Sequence, residues 1–183
     1  MPAKDAFFGV LKEVIHTALI SLAIFFFVYI LIVQPHRVKG ESMVPNFQDG
    51  ELLLTEKVTY RFQDVKRGDV VVFKAPTARK VDFIKRIIGL PGDTIEIQNG
   101  SVFINGKELT EPYETQSTDG TLKITVGENQ FFVLGDNRMA SSDSRSFGSI
   151  EKGTIKGRAW LVYWPISKWR LISRVNYTVS NSL

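Results

Sequence analysis

Cysteine is missing altogether from the 183 residues, and histidine occurs only twice, as His16 and His36. The first absence excludes disulfide frameworks, thiolate-bound zinc, iron–sulfur clusters and thiol nucleophiles. The second leaves almost no material for a histidine-rich metal site. A strong charge of one sign is also lacking: 23 Lys+Arg against 19 Asp+Glu give a net +4. That balance suits contact with anionic lipid headgroups better than dedicated nucleic-acid binding, and no nucleic-acid partner is expected. With 44% hydrophobic and 23% charged residues, the composition is globular and wholesale disorder is excluded. The length fits one ordinary domain with an appendage.

That appendage is the one long apolar run, Val14 to Val33, which holds no Asp, Glu, Lys or Arg. As a helix rising about 1.5 Å per residue it crosses a hydrocarbon core of roughly 30 Å. It has no polar face, as a core helix would, and Gln34-Pro35-His36-Arg37 offers no small-residue cleavage site. The expected organisation is therefore an N-terminus of residues 1–13, a transmembrane anchor at 14–33 and a domain at 34–183. Lys4 and Lys12 on one flank balance Arg37 and Lys39 on the other, so charge does not orient the anchor. No second span follows. The segment Trp160–Tyr163–Trp164 is broken by Pro165, Lys168, Arg170 and Arg174 and reads as a strand followed by an interfacial tail.

Past the anchor the pattern is β. Glu51–Thr59, Asp69–Lys74, Val81–Ile88, Asp93–Gln98, Ser101–Ile104, Leu122–Val126, Gln130–Leu134 and Lys156–Tyr163 are short runs rich in Val, Ile and Phe, separated by turn residues. The expected fold is mainly β, an antiparallel barrel or sandwich-like domain behind one N-terminal transmembrane helix. Asn99-Gly100 and Asn105-Gly106 supply the positive φ angles that tight hairpins need. Glu111–Gly120 is polar and expected to be a loop.

Three stretches could carry chemistry. In Gly40-Glu41-Ser42-Met43-Val44-Pro45 a hydroxyl sits in a loop shaped by Gly40 and Pro45, although an ordinary polar turn fits the same residues. A serine nucleophile needs a base, and neither histidine is well placed: His16 lies inside the anchor and His36 at its mouth. Lysine serves only when desolvation keeps it neutral. In Val81–Ile88, alternation puts Phe83, Lys85 and Ile87 on one face and Ile84, Arg86 and Ile88 on the other. One of two adjacent cations then points inward if the strand has one buried face, and the pattern does not say which. Lastly, Gly135–Arg145 is dense in hydroxyls, carboxylates and guanidinium groups. There Asp136 and Asp143 are expected to pair with Arg138 and Arg145. A Ser-x-x-Lys at Ser149–Lys152 stands without companion motifs.

Taken in order, these blocks resemble the bacterial type I signal peptidases, membrane-anchored Ser–Lys endopeptidases. The matching pieces are an N-terminal anchor, G-E-S-M-V-P (40–45), G-D-V-V-V-F (68–73), K-R-I-I-G-L-P-G-D (85–93), G-D-N-R-M-A-S-S-D-S-R (135–145) and G-R-A-W-L-V-Y-W-P (157–165). The resemblance implies Ser42 as nucleophile, Lys85 as general base and Ser141 as the hydroxyl that orients the lysine. It implies Asp143 and Arg145 as a structural ion pair, and Gly40, Met43 and Pro45 as shapers of the nucleophile loop. The Ser42 backbone N–H would be one oxyanion donor. Gly40 stands where some members place a serine as the second donor, so that donor is a backbone group or water. No metal or cofactor is implied. The implied substrates are signal-peptide-bearing preproteins with A-x-A sites, held in shallow apolar pockets for which Phe83 and Met43 are candidate walls. Further implications are a monomer in the plasma membrane, with residues after 35 on the outer face, in contact with membrane lipid. Leu52–Leu54 and the Tyr60/Phe62 segment are candidate lipid contacts, with core burial the plainer expectation. Self-cleaving repressors share the Ser–Lys chemistry but lack such an anchor; a tethered β module without enzymatic activity is the remaining alternative.

Overall fold

The structure is a computed structural model that describes residues 2–77, 81–112, 117–175 and 177–179. One long helix, α1 (Pro2–Leu31), precedes a β domain. Its apolar stretch Phe7–Tyr29 is long enough to cross a membrane, and none of it is buried against the protein. The helix begins well before Val14, and Val33 already opens the first strand. Apolarity marks the part of a helix that lipid surrounds, whereas backbone pairing decides where the helix stops.

Thirteen strands follow among the described residues: β1 (Val33–Arg37), β2 (Leu52–Glu56), β3 (Val70–Lys74), β4 (Asp82–Gly89), β5 (Thr94–Gln98), β6 (Ser101–Ile104), β7 (Lys107–Thr110), β8 (Leu122–Thr125), β9 (Gln130–Leu134), β10 (Ile150–Glu151), β11 (Ile155–Trp164), β12 (Arg170–Leu171) and β13 (Thr178–Val179). Two short helices, α2 (Thr59–Phe62) and α3 (Ser144–Phe147), lie between them. The larger sheet has the order β1-β2-β11-β3-β4-β9-β10, with β12 added to β11, and the smaller has the order β13-β7-β6-β5-β8. All pairings are antiparallel. The sheets do not close into a barrel; the domain is sandwich-like.

Local chemistry explains the smaller sheet. Asn99 (φ 50°) and Gly100 (φ 82°) join β5 to β6, and Asn105 (φ 54°) and Gly106 (φ 79°) join β6 to β7. Both central residues of each turn are left-handed, matching the twist of the hairpin. Ile95, Ile97, Val102 and Ile104 turn inward to one core with Ile88, Phe132 and Leu134. Two further cores flank the central strands: Val38, Met43, Phe47, Leu53 and Val72 in one, Val71, Phe73, Ile87 and Val133 in the other. Because β3 and β4 have a core on each face, Val70–Phe73 and Lys85–Gly89 are buried without alternation.

Two expectations about apolar segments resolve here. Leu53 is buried and Leu52 and Leu54 are half-buried, so that run belongs mainly to the core. Tyr60 bonds Asp69 at 2.9 Å, while Phe62 is 82% exposed. The tail after Trp164 is not loose. It folds back so that Leu171 pairs with Leu161 and Arg170 with Val162, and Trp160, Trp164, Ile166, Trp169 and Leu171 remain exposed along that edge. Of the polar segment 111–120, residues 113–116 lie outside the described residues.

Candidate active site

The loop between β1 and β2 carries Ser42. Its two ends are tied together by Val38 N–H to Glu51 O (2.8 Å) and Gly50 N–H to Val38 O (3.0 Å). Met43 and Phe47 drop from it into the core, 1% and 3% exposed. Burying a side chain of that kind contributes about 1.5–3 kcal/mol, enough to pin the loop. Gly40 sits at φ +82°, and its N–H donates to Asp49 Oδ1 at 2.7 Å. That amide is therefore occupied, and the Ser42 N–H meets no acceptor among the described residues. Pro45 is exposed and follows a cis Val44–Pro45 bond.

Lys85 reaches this loop from β4. Its Nζ lies 2.6 Å from Ser42 Oγ and donates to Ile84 O at 3.0 Å, with the Phe83 ring 5.3 Å away. The residue is 3% exposed. Burial lowers its pKa from 10.5 to about 8, against the opposing pull of Asp143 and Asp136. Arg86 is also 3% exposed, so the expectation that only one of the two cations turns inward does not hold. A central strand has two buried faces, and each cation needs a different solution. Arg86 is paired: Nε donates to Asp136 Oδ1 (2.8 Å) and Nη2 to Oδ2 (2.6 Å), while Nη1 reaches Gly68 O (3.1 Å). Among the described residues Lys85 has no carboxylate in hydrogen-bond contact, which leaves desolvation in control of its charge.

The stretch after β9 closes the site from the other side. Asn137 N–H donates to Ser42 O at 3.0 Å. Asp143, fully buried, accepts from Gly135 N–H (3.1 Å) and from Arg145 Nε (2.9 Å) and Nη2 (3.0 Å). The Asp143–Arg145 pair is thus present. The other expected pair is not: Asp136 goes to Arg86, and Arg138 donates to Gly135 O (2.9 Å) and Glu111 (2.6 Å). Neighbours in sequence are not neighbours in space once a loop wraps a strand end. Ser141 Oγ is buried without a partner, so it does not bond Lys85 in this structure. It does lie at the site: a Cβ added to Gly135 would meet Ser141 Oγ at 2.2 Å and Ser42 O at 2.5 Å. Gly135, the first residue of the 135–145 block, is a site residue to which the sequence pattern assigned no role; its place directly after the apolar run of β9 is the local signal.

Because one of those clashes is with the carbonyl oxygen of Ser42 itself, Gly135→Ala is expected to push the serine off its partner. Cleavage should fall roughly ten- to a hundredfold, with stability lowered by about 1–3 kcal/mol as in other overpacked sites. Parallel measurement of kcat/KM and thermal unfolding checks this, and an unimpaired variant would show that the close approach is immaterial.

Beside the pair runs a cleft of about 300 Å³. Leu53 and Val72 lie at its floor. One wall is the segment His36–Ser42; the other is Asp82–Lys85, with Ala140 and Ser142 at the end. Phe83 lines it as expected, whereas Met43 does not, being committed to the core. Both walls are unpaired edges: β1 is the terminal strand of its sheet, and β9 pairs with β4 only from Arg86 onward. The second serine–lysine spacing, Ser149–Lys152, builds no such site. Ser149 Oγ is buried without a partner, and Lys152 faces Asp64 at 3.6 Å.

A family model described as signal peptidase, peptidase S26, matches residues 11–164. The chain belongs to this family. Similar proteins include signal peptidase IB of Staphylococcus aureus (strain Mu50), 34% identical over 179 residues that cover 87% of this chain and 93% of that one. The probable signal peptidase I-1 of Synechocystis is 32% identical, covering 94% and 92%. A crystal structure of a signal peptidase I from Enterococcus faecalis V583 shares 32% identity with a TM-score of 0.48, over 52% of this chain and 97% of that one. The activity is that of the family: a serine peptidase that removes signal peptides from preproteins. The apolar α1 anchors this signal peptidase to a membrane.

Proposed function

We propose that the peptidase cleaves by acyl transfer through Ser42, with Lys85 as general base. The observation that carries this reading is a 2.6 Å contact between a buried amine and the serine hydroxyl. Neutral Lys85 takes the Ser42 proton as Oγ attacks the scissile carbonyl. The oxyanion meets the unoccupied Ser42 N–H, a preorganised donor of a kind that contributes about 3–4 kcal/mol. The lysine next protonates the leaving amine, and water then hydrolyses the acyl-enzyme. Ser141, whose hydroxyl is buried and unbonded, is the hydroxyl free to turn onto the lysine amine during this cycle.

The cleft supports a substrate held as an added strand between the edges of β1 and β4. Alternate residues of that strand point to the floor, so the first and third positions before the cut meet Leu53, Val72, Phe83 and Ile84 in a space of about 300 Å³. Small side chains of the A-x-A kind fit there. The anchor places enzyme and substrate in one membrane, with the domain after residue 35 on the outer face, and raises their effective concentration.

The test is the pH dependence of preprotein cleavage in detergent. If neutral Lys85 is the base, kcat/KM falls about tenfold per pH unit below a limb near pH 8. His36, the imidazole in the cleft, has its pKa lowered from 6.5, chiefly by burial, and so titrates below neutrality and cannot supply that limb. A rate that stays level down to pH 6 would remove Lys85 from the role.

A further inference from the structure

Near the start of β1 lies a second cavity of about 190 Å³, whose lining includes Lys57, Tyr60, Arg61, Lys152 and Lys156. Four of its eight lining residues are cations. Three carboxylates stand nearby: Asp64 at 3.6 Å from Lys152, Asp82 at 2.8 Å from Lys156, and Asp69 at 2.9 Å from the Tyr60 hydroxyl, the last paired with Arg174 at 2.7 Å; Asp64 is 95% exposed, and no ion-pair partner faces Arg61 among the described residues. The formal sum over these groups is positive.

Strand register fixes where this cavity sits. Val33 pairs with Glu56, and Glu56 with Arg158, so one row of the sheet joins the start of β1 to the residues beside Lys57 and Lys156. Lys57 N–H donates to Ile32 O at 2.9 Å, one residue past the end of α1. A residue of strand spans about 3.3 Å, which puts Lys57 and Lys156 within about two residues of the row that holds the end of α1. Phe62, next to Arg61 in α2, projects into solvent at 82% exposure.

We propose that this cavity binds the phosphate-bearing headgroup of an anionic phospholipid, in the leaflet from which α1 emerges. Lysine and arginine supply the charge-assisted donors that phosphate oxygens take. Phe62 enters the acyl boundary beside them, the arrangement of an interfacial anchor. A free phosphate ion would satisfy the same donors, but the position at the anchor's exit selects a lipid. The site rests on the membrane-anchored reading of α1 and not on the Ser42–Lys85 pair.

Native mass spectrometry of the full chain, released from a neutral detergent with equimolar dioleoyl phosphatidylglycerol and phosphatidylcholine, tests this directly. Wild type is expected to retain phosphatidylglycerol about tenfold more, in line with the attraction of two or more basic side chains. The Lys57→Gln/Arg61→Gln variant is expected to approach parity, and Arg61→Gln alone, an exposed and well-tolerated change, to fall part of the way. Lys123→Gln, on the smaller sheet, keeps the wild-type preference. Equal retention of both lipids by wild type, or full preference in the double variant, overturns the proposal. So does displacement of phosphatidylglycerol by equimolar inorganic phosphate, which would mark a soluble-anion site. Preprotein cleavage in detergent is read separately, so failure here leaves the dyad standing and the converse also holds.

Discussion

Replacing Lys85 with methionine is expected to abolish cleavage and, at neutral pH, to stabilise the protein. The loss of activity follows from the proposed role of the amine as general base: a rate lower by at least about a thousandfold. The gain in stability follows from the lowered pKa. Unfolded, the amine titrates at its ordinary value of 10.5; folded, burial brings it to about 8. Below pH 8 both states carry the proton, and the folded state bears the full cost of holding a charge in a dry site, on the order of 3 kcal/mol. Between pH 8 and 10.5 only the unfolded state stays protonated, and the cost fades. Methionine has similar length and no charge, so its advantage is complete below pH 8 and gone above 10.5. Ser42→Ala loses activity to the same extent without that pH-dependent gain. Thermal unfolding of wild type and both variants across pH 6–10, with cleavage assayed alongside, separates the two effects. A Lys85→Met protein that still cuts, or one uniformly less stable, would contradict the account.

The opposite response is expected where the buried charge is paired. Arg86 and Asp136 have side chains only 4% and 1% exposed, and Asp136 also accepts from Asn46 Nδ2 at 2.9 Å. Asn46 belongs to the Ser42 loop, and Arg170 Nη2 donates to its carbonyl oxygen from β12 at 2.5 Å. Asp136→Ala leaves a guanidinium in the core without its carboxylate and unties the loop. A loss of about 3–5 kcal/mol follows, equivalent to a fall in Tm of roughly 10 °C for a domain of this size. Arg86→Met combined with Asp136→Leu removes both charges and is expected to recover most of it. Unfolding followed by circular dichroism gives all three values, and a cycle in which the double variant is no better than Asp136→Ala would show that charge is not the cause.

Sequence carried the fold furthest where one local rule sufficed. The two Asn-Gly turns needed only their own φ angles, and Ile95, Ile97, Val102 and Ile104 needed only alternation. Lys107–Thr110 escaped notice as β7 because it buries Leu109 alone; its pairing comes from the turn before it. β1 escaped because Val33 continued the apolar run of the anchor. For the site, Ser42 and Lys85 are 43 residues apart, and no periodicity connects them. Family order brought them onto one page, whereas the strand pattern left Lys85 and Arg86 equivalent. What separates them is Asp136, fifty residues on, and a sequence cannot show which of several acids will reach a given strand.

The two unpaired edges along the cleft carry one more consequence. A slot that takes hold of main chain is indifferent to whose main chain it is, so neighbouring copies and unfolded polypeptide compete for it as potential seeds of aggregation. The rim carries the usual protection. Pro35 removes an amide from β1, and exposed Arg37, Lys39 and Asp82 flank the opening, where stacking like charges of successive copies would repel. On the proposed mode of substrate binding, a lone extended segment delivered from the bilayer meets none of that repetition, and the same edges that refuse a growing fibril admit it.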